Sequence, residues 1–393
     1  MSTTVLSGKV VILGTGTMAA GIAAGFIDAG IPVVVLGRSL DKAQASIDAG
    51  RKLAAVLSTP PKTDAPATAG LIDTWADWSD VAWVIETITE NFELKVALFR
   101  DLDARVPAHI PIGSNSSGFP ITKMAEGLNT RSRMFNAHYF MPAHLVPLVE
   151  VALGEDSDPE LGQRVCDFYR AAGKKPVLVR RDIPGFLANR IQHALMREAL
   201  DLIDRGIASP QDVDTAVRYS FGFRYAAAGP VLQKEISGWD SMAQASREIY
   251  PSLSNTDHLA TCITDLMAQG RTGMKAGAGF RTWSAEDIAQ ERQHYDARLK
   301  AAFQILWPEG TWLRLVMPSE GIAVPMPTSV RATTTLSLGC SRITGPTMVL
   351  ACRSIMLMCG PRVFISSTKS GKRLSDAHHN AGALAQCPQH SRF

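Results

Sequence analysis

Short apolar runs alternate with segments of helical periodicity along the chain as far as residue 181. The first runs contain no polar gap, which is typical of parallel strands buried on both faces. We predict strands at residues 10–13, 33–36, 81–85, 110–113, 133–140, 148–152 and 176–179. Helices are predicted from the first glycine turn to residue 29, at 40–57 and 94–104, and after residue 155. The proline-rich segment 58–70 is expected to end the second helix.

A glycine turn joins the first predicted strand to the first predicted helix. Its pattern is G-x-G-x-x-A, from Gly14 to Ala19. Gly14 permits the backbone angles of a tight turn, and Gly16 leaves room for a pyrophosphate at the N-terminus of the helix. With a strand before it and a strand after the helix, this pattern predicts a dinucleotide-binding βαβ unit. The cofactor-binding residues predicted in this turn are Gly14, Thr15, Gly16, Thr17 and Met18.

At residue 182 the pattern changes to helix after helix. Pro184 suits a first helical turn, and apolar residues then recur at helical spacing. Ser209 and Pro210 begin the next helix, as N-cap and first helical residue. We therefore predict an α/β, doubly wound Rossmann-type N-terminal domain over residues 5–181, followed by an all-helical C-terminal domain over residues 182–306.

The composition changes again near the end of the chain. Residues 310–393 contain nine Lys or Arg against two Asp or Glu, four of the six cysteines, and no sustained periodicity. Neither aromatic interleaving nor a helical face indicates a basic arm that binds a partner. We predict that residues 307–393 form an atypical, basic and poorly ordered tail. The hypothesis is that it is not an evolved domain but an extension read from an altered frame.

The overall composition excludes several classes of protein. Hydrophobic residues make up 46% and charged residues 20%, with a formal net charge of +3. We therefore expect a globular protein with no nucleic-acid partner and no membrane span. The late apolar stretch 344–365 carries Arg353 and Arg362. The six cysteines include no C-x-x-C pair, so neither a metal site nor a disulfide framework is expected, and a reducing cytoplasm is the predicted location.

Several motifs in order make a family recognisable. They are VIETITENFELKVALFRDLD, SNSSGFPI, AHYFMPAHLVPLVEV, IPGFLANRI and GMKAGAGFRTW. Together they resemble the L-3-hydroxyacyl-CoA dehydrogenase family, with its relatives that act on carnitine and L-gulonate. The resemblance runs from about Val10 to Trp283. It implies an enzyme that transfers a hydride between NAD(P) and the C3 position of a 3-hydroxyacyl-CoA.

The chemistry of alcohol oxidation gives an independent reason for the histidine and the glutamate in these motifs. A base must take the hydroxyl proton while hydride leaves the same carbon, and histidine exchanges protons near neutrality. His138 is predicted at a strand end and Glu150 on the next strand, where a carboxylate would orient the imidazole and favour its protonated form. The resemblance implies that this is the catalytic pair, and that Ser117 and Asn189 hold the substrate oxygens.

Other polar residues in the motifs allow more than one interpretation. The resemblance places Glu90 and Lys95 near cofactor and substrate, although such a pair on an anonymous helix would be surface charge. Lys275 matches a cofactor-side lysine, or is an ordinary loop lysine. Ser114 and Ser116 are interpreted as turn residues. His144 and His193 have no motif match and are treated as structural.

Two departures from the family concern the nucleotide. The family has an aspartate after the second strand for the ribose hydroxyls, whereas this chain has Gly37, followed by Arg38 and Ser39. Without the acid, a guanidinium and a hydroxyl suit a 2′-phosphate, so NADP is slightly favoured over NAD. In HYFMP, Met141 replaces an asparagine near the nicotinamide and removes one polar contact.

A third departure concerns the substrate. Acyl-CoA members have a longer helical hairpin after the second strand, whereas the span 37–86 is short and broken by STPPKTDAP. A free 3-hydroxy acid, similar to carnitine or gulonate, therefore stays an alternative to the thioester. A non-catalytic cofactor-binding protein is a second alternative, against which the Ser, His, Glu and Asn set argues. Relatives pair through their helical domain, so a homodimer is expected.

Overall fold

Eight strands form one sheet in the residues that a computed structural model describes, which are 6–58 and 63–306. In chain order they are β1 (Lys9–Leu13), β2 (Val33–Gly37), β3 (Ala67–Leu71), β4 (Val81–Glu86), β5 (Ile112–Ser114), β6 (Met134–Tyr139), β7 (Leu148–Leu153) and β8 (Lys175–Val179). Their order across the sheet is β3-β2-β1-β4-β5-β6-β7-β8. Neighbours run parallel, except that β6 and β7 are antiparallel. All seven strands expected from the sequence are present.

Helices cover both faces of this sheet. They are α1 (Thr17–Asp28), α2 (Leu40–Ala54), α3 (Phe92–Arg105), α4 (Ile121–Met124) and α5 (Pro159–Ala171). Because strand side chains alternate between faces, Val10 and Ile12 pack with α1, α2 and α5, whereas Val11 and Leu13 pack with α3 and α4. The doubly wound architecture is thus confirmed. The strand order reverses between β1 and β4, where open α/β sheets bind their ligands.

Strand β3 was not predicted, because the segment 58–70 was interpreted only as a break. Its sequence ATAGL has no aliphatic run, and its residues are mostly half-buried or exposed. It is an edge strand that pairs with β2 alone. That pairing, which the local sequence does not encode, makes it a strand. The preceding helix also ends earlier than predicted, at Ala54 instead of residue 57.

Beyond β8 the described chain is helical. The helices are α6 (Ala188–Asp204), α7 (Pro210–Tyr219), α8 (Phe221–Ala227), α9 (Pro230–Ser237), α10 (Trp239–Ile249), α11 (Thr261–Ala268) and α12 (Ala285–Leu306). The predicted cap is confirmed, since the Ser209 hydroxyl accepts a hydrogen bond from Asp212 N at 3.2 Å. Ala199 is the only buried residue of α6 to α11. The helical part therefore has almost no core within one chain.

No helix in the described ranges is long and apolar enough to cross a membrane. The predicted basic tail, residues 307–393, lies outside the described residues.

Candidate functional site

The glycine turn after β1 has the shape that a dinucleotide needs. Gly14 has φ +124°, and a Cβ there would lie 2.5 Å from Thr87 Oγ1. At Gly16 a Cβ would meet no heavy atom within 4 Å, so this side of the turn is open. Gly16 precedes α1 and no side chain caps that helix, so its first N–H groups and its dipole are available to an anion. These features fit a pyrophosphate. Thr15 lies in the glycine turn, and Thr17 and Met18 are the first two residues of α1.

The end of β2 bears on the choice of nucleotide. A Cβ at Gly37 would lie 2.7 Å from Thr15 Cγ2, so the aspartate of the family would not fit here without a shift. Arg38 is exposed. The Ser39 hydroxyl accepts a hydrogen bond from Lys42 N at 3.3 Å as the N-cap of α2, and it keeps its own proton for donation.

His138 and Glu150 face each other across the antiparallel pair β6 and β7. They are register partners, and His138 Nδ1 lies 2.9 Å from Glu150 Oε2. Both side chains are buried, and the rings of Phe140 and Phe186 lie 4.5 and 5.5 Å from the imidazole, centroid to centroid. The carboxylate holds the proton on Nδ1, so Nε2 is the nitrogen that can accept a proton from a substrate.

The other oxygen of Glu150 holds the start of the first helix of the helical part. Glu150 Oε1 accepts hydrogen bonds from Leu187 N at 3.0 Å and from Ala188 N at 2.7 Å. Asn189 follows directly in the first turn of α6 and is half-buried. One carboxylate thus links the imidazole of His138 to the segment that carries Asn189.

The loop after β5 carries Ser117 and is tied to the histidine strand. Asn115 Oδ1 accepts a hydrogen bond from Tyr139 N at 2.8 Å, next to His138. Ser117 itself is exposed, and its backbone N donates to Glu90 Oε1 at 3.1 Å. The backbone of Ser117 is thereby held by Glu90, while the residue itself is exposed on the loop.

Of the pair Glu90 and Lys95, Glu90 is exposed, whereas Lys95 is buried and is not the surface charge that an anonymous helix would carry. The Lys95 side chain is buried, with its Nζ 2.6 Å from Glu86 Oε1 and 3.3 Å from Glu90 Oε2. Partial burial raises the pKa of Glu90, but the hydrogen bond from Ser116 and the charge of Lys95 outweigh it and hold that pKa below its usual value. The surface interpretation is therefore wrong for Lys95.

Ser114 and Ser116 do more than shape a turn. Both are fully buried. Ser114 Oγ donates to Glu86 Oε2 at 2.5 Å, and Ser116 Oγ donates to Glu90 Oε1 at 2.5 Å. Both hydroxyls also shape the loop as predicted, since Ser114 Oγ accepts a hydrogen bond from Ser116 N at 3.2 Å and Ser116 Oγ accepts one from Phe119 N at 3.0 Å. Their hydrogen bonds to the buried Glu86 and to the exposed Glu90 come in addition, and only the packing of the chain reveals them.

Lys275 is the candidate that the structure does not link to the others. It is exposed in the 3-10 turn Met274–Ala276, and the described residues show no hydrogen bond from it to another candidate residue. Among the described residues no group of three or more His, Cys, Asp or Glu is arranged to hold a metal ion.

Two polar residues were missed in the sequence. Glu86 ends an otherwise apolar strand, VAWVIE, and a carboxylate at the end of a buried run was the available signal. Asn115 lies within the recognised SNSSG motif, but its contact with the β6 backbone could not be anticipated from spacing.

Two family models match most of the described chain. The model of the 3-hydroxyacyl-CoA dehydrogenase NAD-binding domain matches residues 9–183, and that of the C-terminal domain matches residues 185–283. The chain is 32% identical to 5-formyl-3-hydroxy-2-methylpyridine 4-carboxylate 5-dehydrogenase of Mesorhizobium japonicum, over 76% of this chain and 98% of that protein. It is 33% identical to an L-carnitine dehydrogenase of Nocardiopsis dassonvillei, over 76% of this chain and 91% of that protein.

A solved structure extends the similarity to the fold. A crystal structure of a 5-formyl-3-hydroxy-2-methylpyridine 4-carboxylic acid 5-dehydrogenase, described as an NAD+-dependent dismutase, superposes with a TM-score of 0.70. It is 28% identical in sequence and covers 76% of this chain and 98% of its own.

Proposed function

The chain belongs to the 3-hydroxyacyl-CoA dehydrogenase family, and from this we propose that it transfers a hydride between NAD(P) and the hydroxyl-bearing carbon of a small free hydroxy acid. It is thus an NAD(P)-dependent oxidoreductase acting on CH–OH groups, and its family and relatives are NAD-dependent enzymes of this kind. The observation that carries the proposal is the buried pair of His138 and Glu150, in the same sheet as an open dinucleotide turn.

We assign the chemical roles from the contacts of each side chain. His138 takes the hydroxyl proton at Nε2 during oxidation and returns it during reduction. Glu150 keeps the other proton on Nδ1 and stabilises the imidazolium that forms. Ser117 and Asn189 hold the substrate oxygens. When bound, the nicotinamide supplies the acceptor or donor of the hydride.

The substrate proposal favours the free acid over the thioester that the sequence placed first. Between β2 and β3 the described chain contains α2 alone, with no second helix to form a hairpin. By their names, the two relatives above act on free acids, a pyridine carboxylate and carnitine. The name of the family supports 3-hydroxyacyl-CoA as the second candidate.

We retain NADP as the slightly favoured nucleotide. The NAD-binding domain model and the NAD+-dependent relative support a nicotinamide nucleotide in general. The finer preference is supported by Gly37, which offers no carboxylate to the ribose, and by the exposed Arg38 beside the Ser39 hydroxyl. A 2′-phosphate carries charge that a guanidinium binds well.

One assay tests substrate and nucleotide together. Oxidation of NADH and of NADPH is followed by absorbance at matched concentrations, with acetoacetyl-CoA and with a panel of free 3-keto acids. We expect turnover with free acids, at a higher kcat/KM with NADPH. Turnover with the thioester alone would overturn the free-acid proposal, and a higher kcat/KM with NADH would overturn the NADP preference. Nucleotide binding without any turnover would indicate a non-catalytic protein.

We infer that a second copy of the chain covers the helical part. Helices α6 to α11 bury almost nothing within one chain, yet they carry many exposed apolar side chains. Among these are Ile191, Leu195, Met196, Phe223, Ile236 and Trp239. Apolar surface of this extent is characteristic of an obligate interface. The expected homodimer would give this domain the core that it lacks.

Replacing Ile236 with glutamate is expected to weaken this dimer. The side chain is 75% exposed in the single chain, and covering an isoleucine contributes about 1.5–3 kcal/mol. We expect the dissociation constant to rise about ten- to a hundredfold, as measured by sedimentation velocity over a concentration series. Val56→Glu, an exposed apolar position in the Rossmann part, is the control and should leave the dimer intact. A wild-type protein that stays monomeric at high concentration would contradict the inference.

A further inference from the structure

Glu86 is a fully buried carboxylate at the C-terminal end of β4, and both of its oxygens are engaged. Oε1 accepts hydrogen bonds from Ile88 N and from Lys95 Nζ, each at 2.6 Å. Oε2 accepts the Ser114 hydroxyl at 2.5 Å. A buried charge is costly unless it is paired and fully hydrogen-bonded, and this one is both.

We propose that Glu86 is a positioning residue of the nucleotide site, which fixes the ammonium of Lys95 and couples the two segments that carry Glu90 and Ser117. The inference rests on the proposed function, in which Ser117 holds a substrate oxygen, and on the family resemblance, which implies that Glu90 and Lys95 lie near cofactor and substrate.

Hydrogen bonds connect Glu86 to the substrate loop without a gap. Ser114, which donates to Glu86, accepts a hydrogen bond from Ser116 N at 3.2 Å. Ser116 Oγ then donates a hydrogen bond to Glu90 Oε1 at 2.5 Å. Glu90 Oε1 also accepts a hydrogen bond from Ser117 N at 3.1 Å. Glu86 is therefore connected to Glu90 by two routes, one through Lys95 and one through the two serines.

The charge of Glu86 affects the position of Lys95 and, through it, the position of Glu90. Two carboxylates share one buried ammonium, and Lys95 lies closer to Glu86, at 2.6 Å, than to Glu90, at 3.3 Å. If Glu86 lost its charge, Lys95 would be drawn toward Glu90, because burial leaves it no water to replace the lost partner. The carboxylate of Glu90 would then be pulled away from Ser116 and Ser117.

Glu86→Gln tests this role, because glutamine keeps the shape and removes the charge. We expect the dissociation constant of NAD(P)+ to rise about tenfold by isothermal titration calorimetry, with a fall in kcat, since hydrogen bonds to charged groups are about twice as strong as neutral ones. The control is Asp103→Asn, near the C-terminal end of α3, the helix that carries Lys95. Asp103 accepts hydrogen bonds from Asn129 N and Thr130 N at 2.9 and 3.1 Å, and its loss should change thermal stability but not nucleotide affinity.

A double variant shows whether Glu86 acts through Lys95. Lys95→Met alone should weaken nucleotide binding, and adding Glu86→Gln should cost little more, because the group that Glu86 orients is already gone. Additive losses would overturn the proposal, as would wild-type nucleotide affinity in folded Glu86→Gln.

If Glu86→Gln does not fold, nucleotide binding by Ser114→Ala is measured by the same titration. Weaker binding supports the coupling, and unchanged binding overturns it. A wild-type chain that binds no nucleotide would instead refute the proposed function.

Discussion

Glu150→Gln is expected to lower kcat by about 10²- to 10⁴-fold, because it reverses the proton placement on His138. Two backbone donors, Leu187 N and Ala188 N, require an oxygen on their side of the side chain. The amide nitrogen of glutamine must therefore face His138 Nδ1 and donate to it. The ring proton then moves to Nε2, the nitrogen that has to accept the proton of the substrate.

The substitution separates orientation from folding. Glutamine keeps the acceptor for the start of α6, so we expect a folded protein that binds nucleotide with near wild-type affinity. Alanine at this position would be less informative, because it leaves two backbone N–H groups without a partner, at about 1–3 kcal/mol each. Steady-state kinetics in both directions and nucleotide titration are the measurements. Glu155→Gln, an exposed position shortly after β7, is the matched control. A decrease of less than tenfold would exclude the orienting role.

His138→Ala is expected to reduce kcat by about 10²- to 10⁴-fold, the usual contribution of a general base. Nucleotide affinity should change little, because the glycine turn lies on another segment of the chain. The substitution leaves a space beside the rings of Phe140 and Phe186, which stand 4.5 and 5.5 Å from the imidazole. Added imidazole should therefore restore part of the rate.

The control for this substitution is His109→Ala, since His109 is exposed. It should leave kcat unchanged. The comparison is made by initial rates with and without imidazole. If His138→Ala turned over at the wild-type rate, His138 would have no part in proton transfer.

The buried position of Lys95 explains why the sequence was misinterpreted at this residue, where surface charge was an alternative. Lys95 and Glu90 stand on or beside a helix, where charged residues usually face water. The packing of β4, β5 and α3 instead buries Lys95 against Glu86, and the neighbouring serines supply the remaining hydrogen bonds. The local sequence pattern shows where polar residues lie along a helix, but it does not show which of them form buried ion pairs or hydrogen bonds.

The sequence by itself determined seven of the eight strands of the described sheet, most of the helices that cover it, the glycine turn and, through its motifs, the family. The strands, the helices and the turn follow from apolar runs, helical spacing and the angles that glycine permits, all of which act over a few neighbouring residues. The family follows from the resemblance of the motifs. The strands of His138 and Glu150 were located in the same way.

Only the tertiary structure decided that the two residues meet. A slip of one residue between β6 and β7 would turn one of the two side chains to the opposite face of the sheet. The observed register pairs His138 with Glu150 and leaves Oε1 to hold Leu187 N and Ala188 N. Pairing register and burial depend on contacts between residues far apart in sequence, which is why the edge strand β3 and the buried contacts of Glu86 also emerged only in the folded chain.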